Sequence, residues 1–196
     1  MSKIVKETPQ GNLIVLSGPS GAGKDSIINE LKNYYHNFWV SISMTSRAPR
    51  GNEVDGIDYF FVSKEEFENH IANNDFLEYA TYNDNYYGTP KSKINNFLQQ
   101  GKDVILEIEI QGALKIKENY PNAVFIFIMP PSMQELVRRL KKRNTENLDK
   151  IINRFKKAYQ EINAYNNYNY VVINDKLEDA VEKVHSILIT ERLRVS

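Results

Sequence analysis

Four short runs in the chain are apolar almost throughout: "LIVLSG" (Leu13–Gly18), "DVILEIE" (Asp103–Glu109), "AVFIFIM" (Ala123–Met129) and "YVVIN" (Tyr170–Asn174). They do not alternate between apolar and polar, so each predicts a strand buried on both faces rather than one lying on a half-exposed sheet. Between them the spacing changes. Ile27, Ile28, Leu31, Tyr34 and Tyr35 fall on one helical face. Pro90–Gln100 predicts a second helix, with Thr89 at its N-cap and Pro90 in its first turn. Ser132–Arg143 predicts a third, because Ser132 and Glu135 are spaced as a capping box. Buried strands alternating with helices imply an α/β fold built on a parallel core sheet covered on both sides.

Residues 44–89 interrupt this rhythm. They are rich in Tyr, Phe, Asn and Gly and contain one helical pattern, Lys64–Ala72, with a capping box at Ser63 and Glu66. The stretch predicts a small β-rich insertion. A polar segment, Arg143–Arg154, carries several cations and has the character of a flap over a site. The expected division is therefore a core of residues 1–43, 90–138 and 155–196, an insertion of 44–89, and a lid of 139–154.

Composition narrows the possible partners. The 196 residues contain 25 Lys plus Arg and 25 Asp plus Glu, so any anion site is local and the basic excess of a nucleic-acid-binding protein is missing. There is no cysteine, hence no disulfide or thiolate metal site. The longest apolar run, Ala123–Pro131, is well short of the roughly 20 residues of a membrane-spanning helix. The first residues, "MSKIVKETPQGN", lack the apolar segment of a signal peptide. The expectation is a soluble cytoplasmic protein, monomeric or homodimeric, with no nucleic-acid or membrane partner.

The first chemistry lies in "GPSGAGKDS", where Gly18, Pro19, Ser20, Gly21, Ala22, Gly23, Lys24, Asp25 and Ser26 link the first strand to the first helix. Glycines at 18, 21 and 23 allow backbone N–H groups to turn inward, and the helix N-terminus adds partial positive charge. Lys24 stands at the G-x-x-x-x-G-K spacing that places a cation on the β- and γ-phosphates of a nucleoside triphosphate. Asp25 occupies the position where a hydroxyl usually ligates Mg²⁺. A carboxylate is also a hard oxygen donor but adds negative charge beside the phosphates. Three arrangements stay open: Asp25 on the metal, Asp25 on the metal through water, or Asp25 turned away with Ser26 meeting a phosphate.

Further motifs follow in order: "SMTSRAPRGNEVDGIDYFF" (Ser43–Phe61), "FLEYA" (Phe76–Ala80), "YYGTP" (Tyr86–Pro90) and "ILEIEIQG" (Ile105–Gly112). Together with the phosphate loop they resemble the guanylate kinases, enzymes that phosphorylate GMP from ATP, over Leu13 to about Leu188. The resemblance implies a P-loop NTPase three-layer fold with a GMP-binding insertion and a small helical lid. It also implies Mg²⁺ as cofactor, with ATP and GMP as substrates. Arg47, Arg50, Tyr59 and Tyr87 would then grip the GMP phosphate, and Ser43, Glu78 and Thr89 would meet guanine. Glu107 and Glu109 stand where the family mostly has aspartates, Glu107 on the GMP side and Glu109 as a metal candidate with Asp25 and Ser26. Arg139, Arg143 and Arg154 match lid arginines, and Asn174, with Asp175 beside it, falls in the loop near adenine. Gly51 and Asn52 replace the family's proline and glycine, and an asparagine tolerating left-handed geometry would preserve that turn.

Elementary chemistry agrees with these roles. Two arginine forks and two phenols suit a dianionic phosphate monoester. One carboxylate can accept both N1–H and the 2-amino group of guanine, whereas adenine would leave it unpaired. Taken singly, Arg47 and Arg50 read equally as surface charges, and Glu78, between Leu77 and Tyr79, as a solvent-facing strand residue. Two other functions share parts of the pattern: a binding module that has lost catalysis, and a ribose 1,5-bisphosphate kinase, whose loop also carries "GKDS".

Overall fold

In a computed structural model, residues 10–82, 84–142 and 148–194 are described, with some side chains near the two internal gaps excluded. The core is built from β1 (Leu13–Ser17), α1 (Lys24–Leu31) and β2 (Phe38–Val40). Next come β3 (Met44–Thr45), β4 (Phe60–Phe61), α2 (Lys64–Ala72), β5 (Phe76–Tyr82) and β6 (Asn85–Pro90). The chain continues with α3 (Ser92–Gln99), β7 (Asp103–Glu107), α4 (Ile110–Asn119), β8 (Val124–Met129), α5 (Met133–Lys142) and α6 (Leu148–Ile162). After a 3-10 turn it ends in β9 (Tyr170–Ile173) and α7 (Leu177–Arg192).

Five parallel strands form the main sheet in the order β2-β7-β1-β8-β9. Ile14 and Leu16 of β1 face α1 and α7, packing on Ile27, Leu31, Val181 and Leu188. Val15 faces the other way, toward Ile94 and Leu98 of α3 and Ala113 and Ile116 of α4. Adjacent residues of the central strand thus feed two separate cores, which is why β1 reads as a continuous apolar run. A second sheet, β4-β3-β6-β5, is mostly antiparallel, with only the short β3 and β4 pair parallel, and has its own small core of Met44, Phe67 and Phe76.

The serine half of each expected capping box forms: Ser63 Oγ accepts from the Glu66 N–H at 3.0 Å and Ser132 Oγ from the Glu135 N–H at 3.1 Å, while the Glu135 carboxylate turns to Arg138 and Arg139. Four local expectations need correction. Helix α1 ends at Leu31, so Tyr34 and Tyr35 lie beyond it, and Tyr34 is exposed. Thr89 and Pro90 do not start a helix; they finish β6, and α3 begins after Lys91. The edge strand β9 is not covered on both faces, since only Val172 is buried while Val171 and Ile173 are exposed. The turn after Arg50 takes its left-handed residue from Gly51 at φ 53°, not from Asn52.

Away from the ends of the strands that carry the phosphate loop, the fold is locked by a buried carboxylate. Asp103, fully buried at the start of β7, accepts from the Asn12 N–H at 2.8 Å, the Tyr35 hydroxyl at 2.7 Å and Arg192 Nε at 3.1 Å. Burial, with Asp103 beside it, pushes the Tyr35 hydroxyl up to about 12, so it donates throughout the physiological range.

Candidate active site

The phosphate loop runs from the end of β1 into α1. Gly23 serves as the N-cap of α1 in left-handed geometry, φ 92°, and a Cβ there would sit 2.4 Å from Asn174 Nδ2. Only glycine meets both conditions. Asn174, buried just after β9, donates through Nδ2 to the Ala22 carbonyl at 2.8 Å, fastening the far end of the sheet to the loop. Lys24 Nζ donates to the Gly18 carbonyl at 2.9 Å, and Asp25 and Ser26 are exposed on the first turn of α1.

Arg139 of α5 reaches the same loop. Its Nη2 donates to the Asn174 carbonyl at 2.9 Å, its Nη1 to the Ala22 carbonyl at 3.3 Å and its Nε to Glu135 at 2.8 Å. Arg138 and Arg139 together hold the Glu135 carboxyl down at about 2. Arg143 lies outside the described residues, as does the side chain of Arg154.

Glu107 and Glu109 are brought beside the loop by the turn between β7 and α4. Ser17 Oγ, at the end of β1, donates to the Ile108 carbonyl at 2.8 Å and so pins the residue between them. Glu107 ends β7, and Glu109 is the N-cap residue of α4, with its carboxylate 2.9 Å from Lys157 Nζ. Lys157 is a cation the sequence reading missed. It also lies 3.5 Å from Glu161, whose carboxyl is raised chiefly by burial.

The insertion supplies the opposite wall. Arg47 is buried, with its guanidinium forked onto Glu53 at 2.9 and 3.0 Å, donating to the Ala48 carbonyl at 2.6 Å and standing 5.4 Å from the Tyr59 ring centroid. Its Nε is buried without a protein partner. Glu53, foremost, and Tyr87 hold Arg47 protonated against the effect of burial. Glu53 also accepts the Arg50 N–H at 2.7 Å, leaving the exposed Arg50 side chain at the mouth. The Tyr59 and Tyr87 rings meet edge to face, 6.2 Å apart. Glu53 was not among the residues singled out by sequence, although the Arg-x-x-Arg-x-x-Glu spacing of 47, 50 and 53 carries the signal.

Glu78 does not face solvent. It is buried on β5, and its Oε1 accepts from the Thr89 hydroxyl at 2.7 Å across the β5–β6 pair. Burial raises its carboxyl above the usual range, while Thr89 and then Lys115 of α4 oppose that. Arg47, Arg50, Tyr59, Tyr87 and Glu78 all line one pocket of about 370 Å³, into which Ser20 of the phosphate loop also opens. A wider cleft of about 1120 Å³ adjoins it, and Lys24, Asp25, Glu107 and Glu109 are among its walls. The two share Ser43, Glu53, Tyr59, Glu107, Ile108 and Glu109.

This pairing of a triphosphate loop with an arginine- and carboxylate-lined pocket has close relatives. The chain matches the guanylate kinase family over residues 10–191. It belongs to that family. A guanylate kinase from Clostridium tetani is 58% identical over 95% of this chain and 89% of its own, and one from Caldanaerobacter subterraneus is 56% identical over 95% and 90%. The crystal structure of guanylate kinase from Anaplasma phagocytophilum superposes with a TM-score of 0.79 at 34% identity, covering 95% of this chain and 89% of that one. As a guanylate kinase the protein is a nucleoside monophosphate kinase that phosphorylates GMP from ATP. The inactive binding module and the ribose 1,5-bisphosphate kinase are thereby set aside. Among the described residues no helix is long and apolar enough to cross a membrane.

Proposed function

We propose that GMP occupies the 370 Å³ pocket, with its phosphate on Arg47, Arg50, Tyr59 and Tyr87 and its base on Ser43 and Glu78, and with Thr89, fully buried behind the pocket wall, serving the base by holding Glu78. ATP lies along the loop Gly18–Ser26, with Asn174 on its adenine side, and its γ-phosphoryl group passes to GMP to give ADP and GDP. The observation that carries this reading is the buried Arg47 with one N–H still unpartnered, in a pocket that also holds a buried carboxylate at its other wall. Such a site accepts an anion at one end and a hydrogen-bond donor edge at the other.

Phosphoryl transfer asks the protein for alignment and for positive charge on the migrating group, with little covalent chemistry. Lys24 and Arg139 supply that charge from the loop side, and Arg143 and Arg154 from the lid. Glu107 stands between the two substrates and receives the acceptor side. The acceptor oxygen is already ionised, so no general base is needed.

Among the described residues no three His, Cys, Asp or Glu side chains group into a metal cage. Mg²⁺ does not require one, since it takes most ligands from phosphates and water and one or two from carboxylates. Asp25 and Glu109, both hard oxygen donors on the wider cleft, fit that demand, with Ser26 next along α1. When bound, Mg²⁺ held by these residues would supply positive charge against that of the phosphates.

The test is ADP release with ATP and Mg²⁺ for wild type and Arg47→Ala, with GMP, dGMP and AMP offered in parallel. The reading expects turnover on GMP, little on AMP, and a rise in the KM for GMP but not for ATP in the variant. Equal shifts in both KM values would remove Arg47 from the acceptor site.

A further inference from the structure

Glu78 and Gly112 lie on different parts of the fold. Glu78 belongs to β5 of the insertion, and Gly112 is the third residue of α4, the core helix that follows β7. A Cβ on Gly112 would stand 2.7 Å from Glu78 Oε2 and 3.0 Å from its Cδ, where ordinary contact begins at 3.4 Å. The carboxylate therefore rests against a bare Cα. On its other side Oε1 takes the Thr89 hydroxyl at 2.7 Å, so the group is held between strand β6 and helix α4 with little slack. One turn along the same helix, Lys115 donates to the Tyr79 carbonyl and anchors β5 next to Glu78.

Glycine is among the poorest helix formers, and no positive φ requires it here. Alanine would suit the backbone better. The atom in its way is the end of a side chain, which the fold can move; what cannot move freely is a carboxylate that must meet two donors on one edge of a base.

We propose that Gly112 is a positioning residue for base selectivity, its missing side chain forming the seat that sets the Glu78 carboxylate opposite the N1–H and 2-amino group of guanine. The inference rests on the assignment of Glu78 to guanine. It places part of the selectivity on the core, at a glycine that itself lines the pocket assigned to GMP and acts there through Glu78.

Wild type, Gly112→Ala, Glu78→Gln, Glu78→Asp and the double variant Gly112→Ala/Glu78→Asp are compared with GMP and with inosine monophosphate, which lacks the 2-amino group. Melting temperature and the KM for ATP are measured alongside. For Gly112→Ala the expected result is an unchanged or higher melting temperature, an unchanged KM for ATP, and kcat/KM for GMP lower by about 10- to 100-fold, the range for losing a charge-assisted hydrogen bond. The preference for GMP over inosine monophosphate should fall with it. In the double variant the shorter aspartate, given room, should recover selectivity beyond the product of the two single effects. If Glu78→Gln loses the preference and Gly112→Ala keeps it, the seat is wrong. A lower melting temperature with equal losses on both acceptors would also overturn it, in favour of a packing role. If Glu78→Gln itself keeps the preference, the fault lies in the reading of Glu78, and the inference falls with it.

Discussion

A carboxylate with 8% of its surface exposed and one hydroxyl to answer it is expensive to keep ionised. Burial raises the native carboxyl of Glu78 above its unfolded value. A carboxyl raised on folding binds its proton more tightly in the native state, so stability falls as pH climbs from the unfolded pKa through the raised native one, and the loss persists above it. Glu78→Gln should therefore melt higher than wild type at neutral pH. The gap should close near or below about pH 4, where both states of the wild type are protonated. The same variant should lose GMP turnover, and wild-type KM for GMP should rise on acidification before an ordinary carboxylate would titrate. Differential scanning fluorimetry across pH, with kinetics at matched points, checks both halves. Arg47→Lys probes the opposite wall. An ammonium cannot span both Glu53 oxygens and still offer a fork, so the KM for GMP should rise by about 10-fold or more with the KM for ATP unmoved. Taken singly in the sequence, Arg47 reads as a surface charge and Glu78 could face solvent on a strand; only the ordered motifs around them point to a GMP site. Their burial depends on partners 6 and 11 residues away, Glu53 and Thr89, across turns whose geometry no local pattern reveals.

Elements show which signals survive folding. Strands β1, β7 and β8 were legible because helices cover both faces of the sheet, which demands unbroken apolar runs. Strand β9 has the same composition but lies at the edge, and sequence does not say which strand is outermost. Strand β2 escaped notice because it is three half-buried residues long, too short for a period. Thr89-Pro90 carries a helix-start signal, yet pairing with β5 prevails and keeps both in β6. The phosphate loop was the most legible element, since its glycines answer a local backbone need. Gly23→Ala tests this directly: left-handed geometry costs about 1–2 kcal/mol for a residue with a Cβ. Displacing Asn174 also costs the bond to Ala22. We expect a lower melting temperature and severe loss of ATP binding, with GMP binding retained by calorimetry.

On the scale of the whole molecule, β7 separates two tasks. Its last residue, Glu107, lines the wide cleft beside the phosphate loop, and its first, Asp103, gathers Asn12, Tyr35 and Arg192 into a lock on the fold. Breaking a buried ion pair from one side costs about 3–5 kcal/mol, and Arg192, a fifth exposed, should fall at or below the lower end. Arg192→Ala is accordingly predicted to shift the urea midpoint strongly while leaving KM for both substrates in place. The lock was invisible in the sequence because its members are spread over nearly the whole chain. That spread also sets a schedule for synthesis. Asp103 and Arg192 are 89 residues apart, so at roughly 5–20 residues per second a ribosome needs about 4–18 s between making the buried acid and making the base that neutralises it. Throughout that interval the nascent sheet must either stay open or bury a charge with two of its three partners, so a nick within α7 should leave the acid without its base and the sheet exposed to proteolysis.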